Sequence, residues 1–517
     1  MGKTKNAIRW KVLLPPWIVV MGVLVLNLSV YDTFTNVMTG AVNWILVNFG
    51  WMFNLITLAA LILVIAAYLS PLKNVRIGGS KAEPMITYRN YVWIVLCTIM
   101  GSGIMMWACA EPMYHIHSPS ASVVGGAMSG EAILWAMENI FLEWTFSPMA
   151  IYALPSLLFA VVFYNMKERF SVASMLAPLL GDRISENMRT WIDGVCLFCL
   201  CMGLSSSLGS GILVMVQGAS HVTGGLVQSN AVSYSICGVV IIVTYIVSAS
   251  SGLKRGITYL STINSYFYLV LGVFVLLAGP TAYILGLGCE AFGAMLTDYF
   301  KLSLQTSTAA GDGWSLWWTQ FYWCTWLTWM PISAVFLGKI SRGFTVKQVL
   351  NVTFLIPSLF SVVWMALFSG TCINFELAGI PIFENMQKSG IADAAFTMLD
   401  QLPLTGLIGP LFLVTAFISY VTCAESNIHA MSSLCSSGMS VEQTESPRSL
   451  QVFWGTTIGA LCIIMLNAFG IDGMKMLADL GGFISAFLMI FFMAAFIRVL
   501  KNPTQYDRTA LMNERGE

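Results

Sequence analysis

The sequence predicts an all-α polytopic membrane protein of twelve transmembrane helices, with both ends of the chain in the cytoplasm. Composition, the count of long apolar runs and the placement of Lys and Arg predict it. Of 517 residues, 57% are hydrophobic and only 10% charged, with a mean hydropathy of +0.77. Soluble domains carry roughly 25% charged residues, so a water-soluble or disordered chain is excluded. A bilayer core of ~30 Å asks for about 20 apolar residues per helix. Runs of that kind lie near residues 13–30, 41–69, 91–113, 132–165, 191–217, 231–250, 259–287, 314–338, 347–371, 404–434, 449–470 and 477–499, numbered here as spans 1 to 12. Counting from a cytoplasmic N-terminus, the outside segments hold only Lys301, Lys388 and Lys475, and the other 22 of the 25 Lys and Arg fall inside. The positive-inside rule demands this distribution, and an odd number of spans would break it. The 25 Asp and Glu balance the 25 Lys and Arg, so net charge points to no partner beyond the bilayer, and no nucleic acid is expected. The basic N-terminal stretch precedes an apolar run as in a signal peptide, yet no small-residue cleavage site follows 26–30, and span 1 reads as an anchor.

Most of the twelve cysteines sit inside apolar spans and read as small buried hydrophobes. Cys196 and Cys199 form a C-x-x-C, but no second pair and none of His115, His117, His221 and His429 completes a zinc-type set. The informative positions are those that interrupt the apolar runs, because irregular backbone at membrane depth is tolerated only against protein or a cavity. In span 3, Gly101-Ser102-Gly103 permits unwinding that would expose carbonyls and amides to an ion or solute, although small residues also serve close helix packing. Span 8 carries Trp314, Trp317, Trp318, Trp323, Trp326 and Trp329, six of 17 tryptophans within sixteen residues, with Pro331 after them. The first three suit the interfacial aromatic belt. The last three lie about two to three turns deeper at i, i+3, i+6, where indole faces would attract a desolvated quaternary ammonium. Trp144 and Tyr152 in span 4, eight residues apart, share a helical face and offer matching walls.

At this point the chain resembles the betaine/choline/carnitine transporters, along essentially its whole length. The resemblance rests on Phe321-Tyr322-Trp323-Cys324-Thr325-Trp326-Leu327-Thr328-Trp329-Met330-Pro331 followed by Lys339-Ile340-Ser341-Arg342-Gly343. The glycine stretch leading to Glu111-Pro112, the segment Trp144 to Tyr152, Ser251 to Gly256, and Thr422-Cys423-Ala424-Glu425-Ser426 follow in the family's order. It implies a LeuT-like fold of two inverted five-helix repeats, helices 3–7 (90–287) and 8–12 (313–499), after two extra helices (13–69), usually assembled as a homotrimer. Residues 1–12 and 500–517 then form short cytoplasmic ends around a single transporter domain, 13–499, in the cell membrane. The chain is expected to be no enzyme and to carry no cofactor. The family's osmosensors have a long basic tail, whereas the charges after Arg498 cancel, so nutrient uptake is expected rather than osmotic sensing.

The same resemblance implies an aromatic box midway across the membrane, built from Trp144, Tyr152 and Trp326, with Tyr114, Trp323 and Trp329 nearby and Gly101, Ser102 and Gly103 exposing backbone. Met149 and Thr325 stand where members often carry Trp. Choline-preferring members place an Asp in the glycine stretch, where Gly103 stands here, so a zwitterion such as glycine betaine, carnitine or γ-butyrobetaine is expected over choline. Glu111 keeps choline open as an alternative, though a Glu before Pro112 also suits the role of satisfying freed backbone groups. Sodium-independent members carry Arg or Met at positions that resemble Thr258 and Ser333, and neither of these replaces an ion. Na+ symport is therefore expected, with the carbonyls of Cys97, Met100 and Ser419 and the hydroxyl of Thr422 as ligands, and Cys423 where a Ser is usual. Ser205, Ser206 and Ser207 are a weaker second set, since hydroxyls commonly bond back to their own helix. The alternatives are a Na+-independent exchanger and, outside transport, a receptor for quaternary amines.

Overall fold

The computed structural model describes residues 7–101, 103–250, 256–440 and 446–507; the side chains of 27, 28, 31, 249, 250, 332, 468–475 and 477 are left aside. Ser102, residues 251–255 of the Ser251 to Gly256 motif and the chain after 507 therefore lie outside the described residues. The main helices are α1 (Trp10–Ser29), α2 (Tyr31–Leu69), α3 (Tyr88–Met100), α4 (Gly103–His117), α5 (Gly130–Trp144), α6 (Phe146–Ala160) and α7 (Glu186–Val222). They continue as α8 (Ala231–Ser250), α9 (Gly256–Ala278), α10 (Thr281–Thr297), α11 (Thr319–Ile340), α12 (Ile356–Leu377), α13 (Thr405–Leu434) and α14 (Arg448–Lys501). Extended pairing among the described residues is confined to two isolated bridges, Ile8 with Ser436 and Arg76 with Thr345. Nine described helical segments are long and apolar enough to cross a membrane, and the bent pair α3 and α4 raises this to ten. The chain is a nearly all-helical polytopic membrane protein.

Apolar side chains face outward as well as inward. Val232, Ile236, Val239, Val243 and Val247 are exposed along α8, as are Trp44, Val47, Trp51 and Leu55 along α2. Each set recurs at three or four residues, the spacing of one helical face, and such faces suit lipid rather than water.

Three apolar runs contain breaks. Span 3 bends by 48° between α3 and α4, beside Gly101 at φ +50°, a backbone region that glycine enters without a Cβ penalty. Span 4 divides at Thr145, φ −115° and ψ −113°, which leaves Trp144 as the last residue of α5. The run 314–338 divides at Trp318, φ −120° and ψ −90°, between the turn Trp314–Trp317 and α11. The run 259–287 also ends earlier than its hydropathy predicts: Gly279 and Pro280 stop α9, and Thr281–Thr297 forms a separate helix packed on α5 and α12. Proline lacks the amide that would continue the helix and disfavours helical backbone in the residue before it.

Small residues let the interior helices approach closely. A Cβ on Gly203 of α7 or Gly481 of α14 would lie 2.7 Å from the Thr328 methyl of α11, and one on Gly338 of α11 would lie 2.7 Å from the Ser156 carbonyl of α6. One on Gly482 would land on the Cys324 carbonyl. Without a hydrophobic drive between helices in lipid, such contacts carry the packing. The N-terminal segment is pinned by Arg9, whose Nη1 lies 2.8 Å from an Asp193 oxygen and donates to the Leu434 carbonyl at 2.8 Å. Asp193 also accepts from the Ser171 hydroxyl and the Val172 amide, both at 2.8 Å.

Gly482→Ala is expected to destabilise the fold by about 1–3 kcal/mol through overpacking. Gly286→Ala on α10, where a Cβ meets nothing within 4 Å, is expected to leave it unchanged or slightly improved. Thermal unfolding of the detergent-solubilised variants checks both.

Candidate functional site

Spans 3, 4 and 8, each of them broken, meet at a cavity of about 130 Å³. That is small beside the ≈300–1,000 Å³ of drug-sized pockets and suits a compact solute. Its walls include Trp107 of α4, Trp144 and Tyr152 of α5 and α6, and Phe321, Tyr322, Thr325, Trp326 and Trp329 of α11. Gly101, Gly103, Thr98 and Met100 edge it from span 3, Ser206, Ser207 and Ser210 from α7, and Tyr420 and Cys423 from α13. The lining side chains carry no formal charge among the described residues.

The aromatic walls stand at right angles. Trp326 meets Trp144 at 5.3 Å between ring centroids and 88°, and meets Tyr152 at 5.8 Å and 85°; Tyr322 meets Trp144 at 5.6 Å and 69°. Edge-to-face pairs of this kind are favourable in themselves and leave ring faces turned to the space between them. Polar tips lock the rings. The Trp326 Nε1 donates to the Glu143 carbonyl at 3.1 Å, and the Trp144 Nε1 donates to Glu111 Oε2 at 2.9 Å. The Tyr322 hydroxyl donates to the same Glu111 oxygen. Glu111 thus serves two ring donors from α5 and α11, and backbone satisfaction near Pro112, the alternative reading of this residue, is not the role it plays here.

Gly103 leaves the Trp144 ring open on that side, since a Cβ there would make only ordinary contact with it at 3.5 Å. The site residues named from sequence divide accordingly. Trp144, Tyr152, Trp326, Trp329, Gly101 and Gly103 edge the cavity together, while Trp323 and Met149 are buried outside its lining. Trp323 is turned away because α-helical residues step by 100°: Tyr322, Thr325, Trp326 and Trp329 fall on one face and Trp323 on its flank. Tyr114 packs instead against Trp318, tilted at 5.6 Å, and edge-on against Phe383 at 6.0 Å. Tyr322 and Trp107 were not named from sequence. The signal was available, since Tyr322 precedes Trp326 by four residues and Trp107 follows Gly103 by four, one helical turn each. The interfacial reading of the first three tryptophans suits Trp317, which is exposed; Trp314 is buried, and Trp318 packs edge-on against His115 at 4.5 Å.

Of the residues named for sodium, Met100 and Cys423 edge the cavity, while Cys97 and Ser419 meet α9 beside Gly101. The Tyr268 hydroxyl of α9 donates to the Gly101 carbonyl at 2.8 Å and lies 3.0 Å from the Ser419 hydroxyl, which also accepts from Asn264 Nδ2 at 2.9 Å. Asn264 Nδ2 lies 3.6 Å from the Cys97 sulfur, and Thr98 pairs with Ser426 at 3.0 Å, so α3 is tied to α9 and α13. Thr422 donates back to the Ile418 and Ser419 carbonyls at 3.0 and 3.1 Å, which leaves its oxygen lone pairs open to accept. A Cβ on Gly101 would approach the Cys423 sulfur to 3.8 Å. Of the second set, Ser206 and Ser207 line the cavity, and Ser205 is buried with no partner for its hydroxyl among the described residues.

Comparison with known proteins agrees with the resemblance. Residues 11–505 match the model of the BCCT, betaine/carnitine/choline family transporter. The chain is 29% identical to an ectoine/hydroxyectoine transporter of Virgibacillus pantothenticus, over 88% of this chain and 89% of that one. It is 27% identical to an osmo-independent choline transporter of Acinetobacter baylyi (88% and 86%) and 27% identical to a glycine betaine transporter of Vibrio parahaemolyticus (83% and 81%). A family match spanning nearly the whole chain, on a membrane-embedded helical fold with an aromatic cavity at its broken helices, means that the protein is a transporter and not an enzyme, and that it belongs to the betaine/carnitine/choline transporter family.

Proposed function

We propose that this chain imports a zwitterionic quaternary ammonium compound (glycine betaine, carnitine, γ-butyrobetaine or a related betaine) by Na+-coupled symport across the cell membrane. The observation that carries the reading is the uncharged cavity walled by Trp107, Trp144, Tyr152, Tyr322, Trp326 and Trp329. Indole and phenol faces attract a methylated ammonium at ~2 kcal/mol or more per desolvated contact, and an uncharged lining suits a solute whose two charges cancel. The carboxylate of such a solute would meet the amides and hydroxyls at the α3–α4 break and the Ser206, Ser207 and Ser210 edge. The relatives named for ectoine, choline and glycine betaine bracket this chemistry.

Sodium coupling is supported by the oxygen-bearing groups of α3, α9 and α13 packed behind Gly101. Cys97, Met100, Ser419 and Thr422 would supply the hard oxygen ligands this ion prefers, with Cys423 a poor fifth. An ion bound there would hold the broken helix against α13 and so shape the cavity edge. The transport unit on this reading has twelve spans, two inverted repeats at 90–287 and 313–499 after two extra helices, cytoplasmic termini and a trimeric assembly, and alternates access around the cavity. A second reading, choline uptake, is favoured by one observation: the carboxylate of Glu111 stands directly behind Trp144 and Tyr322.

Uptake of labelled glycine betaine and carnitine into proteoliposomes tests the proposal. Accumulation is expected with an inward sodium gradient and is expected to vanish when potassium replaces sodium; uptake that ignores sodium and needs preloaded substrate would make the protein an exchanger. In a competition panel that also holds γ-butyrobetaine, ectoine and choline, a betaine is expected to win, and choline winning would overturn the zwitterion assignment. Trp326→Ala is expected to weaken binding by ~2 kcal/mol or more. Trp317→Ala, at an exposed position, is expected to change it by less than about 0.5 kcal/mol, as measured by substrate-dependent quenching of tryptophan fluorescence.

A further inference from the structure

Behind the aromatic walls lies a cluster that substrate recognition as described above does not use. Glu111 on α4, one turn before His115, meets Glu143 near the end of α5, and all three side chains are fully buried. A carboxylate oxygen of each Glu and a ring nitrogen of His115 lie within 4.8 Å of one another. Two of the cluster's six polar atoms are accounted for: Glu111 Oε2 accepts from Trp144 and Tyr322, and Glu143 Oε1 accepts from the Thr319 hydroxyl at 2.7 Å. The inner atoms are not. Among the described residues no donor or acceptor outside the cluster meets Glu111 Oε1, Glu143 Oε2 or the nitrogens of His115, and His115 Nε2 lies 3.5 Å from Glu111 Oε1.

Two carboxylates at this separation, away from water, cannot both carry charge without a large penalty, which a proton held between them removes. The groups that face the pair are His115 on α4 and Tyr322 and Thr319 on α11. Other ionisable groups on the elements packed against these helices are engaged elsewhere: Glu376 of α12 with His117 at 2.9 Å, Asp393 with His221 at 2.6 Å, and Glu138 of α5 towards Asp298 and Lys301.

Trp144 and Tyr322, which bond to Glu111, are also cavity walls. A cation in the box therefore sits one aromatic ring from the pair. We propose that Glu111 and Glu143 form a proton-sharing unit behind the aromatic box, whose first deprotonation places one negative charge behind Trp144 and Tyr322 and so favours a cationic substrate over a zwitterionic one. With both carboxyls protonated the wall is neutral and a betaine, whose own carboxylate offsets its ammonium, is at no disadvantage. With one proton released to solvent, the remaining O–H can donate to the neighbouring carboxylate and the charge attracts a lone ammonium. By linkage the effect is reciprocal: a bound cation drives the proton off, while a zwitterion does so far less. This rests on the cavity being the substrate site.

The test uses the full chain in lipid nanodiscs at constant sodium, with choline and glycine betaine as probes and tryptophan fluorescence as the readout of binding. Between about pH 5.5 and about pH 8.5, choline affinity is expected to rise about tenfold or more and betaine affinity by less than about threefold, since each pKa unit of linkage corresponds to a factor of ten. Calorimetry in buffers of different ionisation heat is expected to show protons released on choline binding and few on betaine binding, a result that needs no variant. Glu143→Gln is expected to abolish both the pH rise and the release, and His115→Gln to keep them. Parallel pH profiles for the two probes, no proton release by the unaltered chain, or a pH rise that survives Glu143→Gln and disappears in His115→Gln would each overturn the proposal. If neither probe binds at any pH, the substrate-site reading falls and this inference with it; binding without proton linkage overturns this inference alone.

Discussion

The structure depends on how the chain satisfies backbone polar groups where it stops being helical inside an apolar bundle. Hydrocarbon offers no hydrogen bonds, so every departure from helix has to be met by protein or by a cavity. The departures at Gly101, Thr145 and Trp318 are met one by one. The Tyr268 hydroxyl serves the Gly101 carbonyl, the Thr145 hydroxyl returns to the Phe141 carbonyl, and the Trp318 carbonyl takes the Tyr322 amide at 2.7 Å. The cavity lies where these three segments meet, because interrupted helices cannot pack their backbones side by side as α7, α11 and α14 do.

The aromatic walls extend the same logic to side chains. A buried tryptophan gains from placing its N–H, and here two of the wall indoles place theirs on Glu111 and on the Glu143 carbonyl. The bonds fix ring orientation, so the faces turned to the cavity are set before a ligand arrives, which lowers the ordering cost of binding. They also hold Glu111 in a buried position directly behind two of the rings. Orientation of the box and its electrostatics are thus two consequences of one set of hydrogen bonds.

Much of this was legible in the chain itself. Apolar runs and the sidedness of Lys and Arg announce a polytopic helical protein, and the clustered tryptophans of span 8 with the Gly-Ser-Gly interruption of span 3 point to the right segments. Hydropathy alone misjudged the run 259–287, because apolar residues continue past Gly279 and Pro280 while the helix does not. It was equally blind to the division of span 4 at Thr145, since a kink between two apolar helices leaves mean hydropathy unchanged.

Periodicity placed Trp323 beside Trp326 and Trp329, whereas a step of i, i+3, i+6 drifts about 60° per step and carries one member off the face. Glu143 carried no signal of its own, being one polar residue in an apolar run until α4 and α11 bring Glu111, His115 and Thr319 against it. By itself the sequence determined the membrane solvent, the helical class and which segments hold the unusual residues, because those follow from local composition and from spacing along one helix. Only the tertiary structure decided which rings face a common space and that two carboxylates stand behind them, because those depend on the rotation and crossing of helices whose contacts join residues more than 150 positions apart.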